Sequence, residues 1–125
     1  MGKGYLIDSN VLIEYTGDLL PENAHSFVSD VIDEQFNISV ISKIEVLGHN
    51  TAGKDMEDFI SLADVFELSE DVTNKTIELR KTYKTKLPDA IIAATAFVNK
   101  FGVITRNTMD FDKIEGLEVI NPYEM

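Results

Sequence analysis

The chain contains no cysteine. That removes disulfides, thiolate zinc sites and cysteine nucleophiles, and it fits a reducing compartment. No apolar run approaches membrane-spanning length, and no charged-then-apolar leader opens the chain. The expectation is a soluble cytoplasmic protein. There is no glycine-rich phosphate loop, repeat, low-complexity tract or linker. A DxD phosphotransfer motif is missing too, because Asn10 stands where its second Asp would be. His25 and His49 lie on separate segments with no ligand pattern around them, so neither supports a serine triad.

Basic residues are scarce: 11 against 22 acids, a net charge of −11. Residues 1–60 carry a net −8 and residues 61–125 a net −3. The N-terminal half should repel nucleic acid in general. Arg80, Lys81, Lys84, Lys86 and Arg106 are the bases near the motifs that follow. A solvated helix face is the alternative reading for the first four of them.

What is present is enough for one domain. With 125 residues a chain buries roughly two-thirds of its unfolded surface and needs no covalent staple. Apolar runs of strand length alternate with helical periods. "GYLI" (4–7), "FNISVI" (36–41), "DVFEL" (64–68), "VIT" (103–105) and "LEVI" (117–120) read as strands. Helices are predicted over 21–35, from 42, over 55–63, over 70–84 and over 88–101. The last, "PDAIIAATAFVNKF", is apolar nearly all round and should be central. The alternation predicts an α/β fold with a mainly parallel sheet and helices on both faces. In such sheets, sites form outside the carboxyl ends of the strands.

Four acids fall near those ends. Asp8 follows the first strand, Glu45 lies in the helix after the second, Asp89 opens the apolar helix, and Asp110 comes just after the strand 103–105. Each has a structural alternative. Asp8 suits the cap of a helix beginning near Ser9. Ser42-Lys43-Ile44-Glu45 fits a capping box. Asp89 suits a helix first turn, and Asp110 a turn or cap. Four caps need not all reach one edge of the sheet, however. Carboxylates crowded there would repel one another and raise their pKa values, a penalty that a hard divalent cation removes. Mg²⁺ or Mn²⁺ on oxygen ligands points to metal-assisted phosphodiester hydrolysis. In that chemistry Asp8, Asp89 and Asp110 hold the ion, directly or through water, and Glu45 ligates or orients the attacking water.

The segments "YLIDSNVLIEY", "ISVISKIEVLG", "KLPDAIIAATA" and "VITRNTMDFDKI" together resemble the PIN-domain ribonucleases, most of all the VapC-type toxins of bacterial toxin–antitoxin pairs. The resemblance implies a three-layer α/β/α fold forming a single domain over residues 1–125, with Asp8, Glu45, Asp89 and Asp110 as the acidic quartet. Ser9, Asn10, Thr105, Arg106 and Asn107 match the positions that accompany it, and by that resemblance Ser9, Asn10, Thr105 and Asn107 would support the carboxylates by hydrogen bonds. Asn107 is neutral where the family often has Asp, which leaves the metal count open. The activity implied is Mg²⁺- or Mn²⁺-dependent cleavage of single-stranded RNA (tRNA, rRNA or mRNA), with Arg106 attracting phosphate. A homodimer and a cognate antitoxin whose tail enters the groove are implied partners. Two rival readings stand beside this one: another Mg²⁺-dependent phosphoryl hydrolase, and a non-catalytic PIN-like scaffold that pairs with a protein.

Overall fold

A computed structural model of the chain describes residues 4–50 and 52–125. Five short strands form one sheet: β1 (Tyr5–Ile7), β2 (Asn37–Ser39), β3 (Asp64–Phe66), β4 (Gly102–Ile104) and β5 (Val119–Ile120). Every pairing is parallel, in the order β3-β2-β1-β4-β5. From β1 the chain first builds outward to β2 and β3. It then crosses back to lay β4 on the other side of β1, in the register Leu6↔Val103 and Ile7↔Ile104. The order therefore reverses between β1 and β4.

Side chains of a strand alternate between its two faces, and here each face has its own core. Leu6 and Val103 meet Val72, Leu79, Ile91 and Ile92 on one side. Ile7, Ile38 and Ile104 meet Val11, Leu12, Val28, Val46 and Ile60 on the other. The first core is covered by α5 (Glu70–Thr82), α6 (Leu87–Asn99) and the short α7 (Thr108–Phe111). The second is covered by α1 (Ser9–Thr16), α2 (Glu22–Glu34), α3 (Val40–Leu47) and α4 (Lys54–Ile60). The result is a three-layer α/β/α fold. Along α6 the run Ala90–Ala96 is buried without interruption, as its lack of a polar face requires. A 3-10 turn, Pro122–Glu124, ends the chain and packs against α2.

One boundary differs from expectation in a way that matters for the site. The strand expected over 36–41 stops at Ser39, and Val40 and Ile41 already belong to α3. Ser39 is the N-cap, its hydroxyl accepting from the Ile41 N–H at 3.1 Å. The capping box expected at Ser42 and Glu45 does not form. Ser42 lies inside the helix, fully buried, and its hydroxyl has no hydrogen-bond partner. Two β-branched residues read locally as strand, but a Ser cap starts the helix ahead of them.

Candidate active site at the reversal of strand order

The crevice outside the carboxyl ends of β1 and β4 is where a parallel sheet of this order leaves room for a ligand. Asp8 is the first residue past β1 and Thr105 the first past β4. The Asp8 N–H donates to the Ile104 carbonyl at 2.9 Å, so the two strand ends are locked side by side.

Asp8 is only 5 % exposed, and both its oxygens are engaged. Oδ1 accepts from the Ser9 backbone N–H at 2.8 Å, and Oδ2 accepts from the Thr105 hydroxyl at 2.8 Å. The helix-cap reading of Asp8 and its place at the sheet edge thus describe the same atoms. Burial pushes the Asp8 carboxyl up, Glu45 adds to the rise, and the bonds from Thr105 and Ser9 oppose it. Thr105 is held in turn by the Asn107 backbone N–H, which donates to its hydroxyl at 3.0 Å.

Glu45 sits on α3, facing α1. The Ser9 hydroxyl donates to its Oε1 at 2.9 Å and lies 3.5 Å from Asp8 Oδ1, so its single proton goes to Glu45. Ser9 therefore links the acid of β1 to the acid of α3, one through its amide and the other through its hydroxyl. Asp89 stands in the first turn of α6, directly after Pro88, and Asp110 in the first turn of α7. The Asp89 carboxyl is pushed up to about 6, by burial first and then by the charges of Asp110 and Asp8. Glu45 contributes in the same direction, and Lys86 opposes them. Acids of three other segments thus act on Asp89 electrostatically across this edge.

The donors are all carboxylate oxygens, a set suited to a hard cation and unsuited to a soft one. Among the described residues no three His, Asp or Glu side chains lie close enough to hold one ion by themselves.

The remaining expected residues are placed differently. Asn10 accepts from the Arg106 backbone N–H at 3.3 Å and is bonded to no acid. Asn107 caps α7 without a side-chain cap bond. The Arg106 guanidinium forms an ion pair with Glu14 and lies over the Tyr123 ring, 5.6 Å from its centre. Glu14 and Tyr123 are absent from the residues expected at the site. Glu14 lies 92 positions before Arg106 and 109 before Tyr123, and no local pattern joins them. An open depression of about 580 Å³ lined by Thr16, Lys54, Met56 and Phe59 lies between α1 and α4 and contains none of the four acids.

Residues 5–117 match the model of the PIN domain. The chain belongs to the PIN-domain family. Its structure is similar to a chain of a toxin–antitoxin complex from Klebsiella pneumoniae, with 32 % identity and a TM-score of 0.77, covering 98 % of this chain and 100 % of that one. It is also similar to a chain of FitAcB from Neisseria gonorrhoeae, with 24 % identity, a TM-score of 0.76 and coverage of 97 % and 99 %. VapBC-1 from nontypeable Haemophilus influenzae gives 20 % identity, a TM-score of 0.78 and coverage of 94 % and 97 %. These last two, under a quarter identical, speak to the fold of this PIN domain. No curated protein matches the chain. No helix among the described residues is long and apolar enough to cross a membrane.

Proposed function

We propose that this PIN domain is the toxin of a toxin–antitoxin pair and a Mg²⁺- or Mn²⁺-dependent endoribonuclease acting on single-stranded RNA. The observation that carries the reading is the placing of acids from separate segments beside the reversal of strand order: Asp8 bonded to Thr105 at the β1 and β4 ends, Glu45 joined to it through Ser9, and Asp89 at the start of α6, pushed up to about 6 by burial first and then by the charges of Asp110 and Asp8. A half-buried carboxylate raised by burial and by neighbouring acids is what a bound cation would relieve.

In this reading the four acids would hold the ion, directly or through water. When bound, the ion supplies Lewis acidity for activating water and for the charge that builds on the phosphoryl group. The chain's own residues set the geometry. Thr105 and the Ser9 amide fix the Asp8 carboxylate. The Ser9 hydroxyl fixes one oxygen of Glu45, leaving the other to orient the attacking water in line with the scissile bond. The products are a 5′-phosphate and a 3′-hydroxyl. A cognate antitoxin is the expected partner, in keeping with the toxin–antitoxin complex from Klebsiella pneumoniae, and a homodimer is the expected assembly.

The test is RNA cleavage in Mn²⁺ by the wild type, Asp8→Asn and Asp89→Asn. Both variants should lose cleavage, and undiminished activity in either would remove that residue from the mechanism. The lack of a close group of three such ligands among the described residues favours one alternative, a PIN scaffold that binds a protein partner without catalysis. Calorimetry decides between them, since the scaffold takes up no Mn²⁺.

A further inference from the structure

Arg106 is the base that the motif "TRN" places beside the site, yet its charge is already engaged. Its guanidinium pairs with Glu14 of α1 and lies over the Tyr123 ring. The Tyr123 hydroxyl donates to the other Glu14 oxygen, Oε1, at 2.8 Å. Glu14 is therefore held from both sides, and its side chain is only 15 % exposed against 54 % for Arg106. Tyr123 is itself anchored. The Asn121 side chain accepts from its N–H at 2.9 Å, and Pro122 before it is buried. At the other end, the Arg106 backbone is tied to Asn10, two residues beyond Asp8.

A carboxylate paired with a guanidinium is chemically close to a phosphate in the same place, since both present anionic oxygens to the same fork of donors. We propose that Glu14 is an internal stand-in for an RNA phosphate. With Tyr123 as its support, it holds Arg106 at the rim of the acidic site, and a substrate strand gains the Arg106 contact only by displacing it. Glu14 and Tyr123 are positioning residues in this scheme. They hold down the affinity of a protein that has few other cations near the site, and they favour strands whose backbone follows the path needed to make the exchange. The proposal rests on the reading that the site takes RNA.

The test is binding of a fluorescein-labelled single-stranded oligouridylate in EDTA, followed by anisotropy across a salt series, alongside cleavage kinetics in Mn²⁺. Glu14→Gln should tighten binding two- to fivefold, roughly what an exposed ion pair supplies. Its salt slope should steepen by about 0.7, the value for one added phosphate contact on a single strand. KM should fall with kcat little changed. Arg106→Gln should weaken binding more in the Glu14→Gln background than in the wild type. Tyr123→Phe should shift affinity the same way as Glu14→Gln, by less, and it carries the test if Glu14→Gln does not fold. Glu57→Gln, on the exposed face of α4, controls for net charge.

The idea is overturned if neither Glu14→Gln nor Tyr123→Phe tightens binding, if Glu57→Gln tightens it as much, or if Arg106→Gln costs the same in both backgrounds. Tightened binding without cleavage by any variant would sink the nuclease reading and leave this one standing. Cleavage without tightening would do the reverse.

Discussion

The Thr105 hydroxyl donates to Asp8 Oδ2 at 2.8 Å across 97 positions of sequence, and neither residue has appreciable access to water. A buried carboxylate that loses such a partner bears the cost of its own desolvation. Thr105→Val should therefore destabilise the protein at pH 7 by about 1.5–3 kcal/mol, the range for a hydrogen bond to a charged group. Thr105→Ser should restore most of it. Urea melts of the three proteins measure the difference, which should shrink in acid as Asp8 takes up a proton.

Asp89 gives a pH dependence with a definite sign. Its folded value, about 6, lies above its ordinary 3.8, so the folded state binds this proton more tightly than the unfolded chain does. Stability from this group is fully present below pH 4 and is lost as pH rises through 6. Asp89→Asn removes that loss. Without metal at pH 7.5 the variant should melt no lower than the wild type and up to a few degrees higher. The gap should close on the way down to pH 4, and a gap that stayed constant with pH would count against the repulsion.

Added Mn²⁺ should reverse that order. A ligand that binds only the folded state stabilises by mass action, about 2.7 kcal/mol at a hundred times its Kd. The wild type should gain melting temperature with Mn²⁺, and Asp89→Asn should gain less. Equal responses would place the ion somewhere other than the reversal of strand order.

The start of α3 offers a paired test of the corrected cap. Ser39→Ala removes the hydroxyl that receives the Ile41 N–H and should cost about 1 kcal/mol. Ser42→Ala removes a buried hydroxyl without a partner and should be neutral or stabilising by up to about 1 kcal/mol. If Ser42→Ala proved the more damaging of the two, the helix would begin where the S-x-x-E pattern suggested.

What could be read from the sequence, and what could not, follows from the range of each interaction. The order of strands and helices was legible because periodicity is local, and α6 most clearly so, since a run with no polar face has only the interior to go to. Asp8, Glu45, Asp89 and Asp110 could be nominated because each stands beside the end of a strand or the start of a helix, features that a few residues define. The boundary at Ser39 went wrong because two local signals conflicted there, β-branching against a cap. Arg106 could be nominated too, but its association with Glu14 and Tyr123 was out of reach for a different reason. It exists only after α1, the β4 end and the final 3-10 turn have been brought together, and Glu14 and Tyr123 look like ordinary surface residues in their own segments.

One carboxylate both starts α1, through the Ser9 N–H, and belongs to the acidic group. An amide at position 8 keeps an oxygen for the Ser9 N–H and gives up the charge, whereas an alanine gives up both. Substitutions at this position therefore divide into well-folded mimics and damaged proteins. An asparagine chain would thus keep the fold with one negative charge fewer, while an alanine chain would lose the start of α1 as well and be the more open to proteolysis.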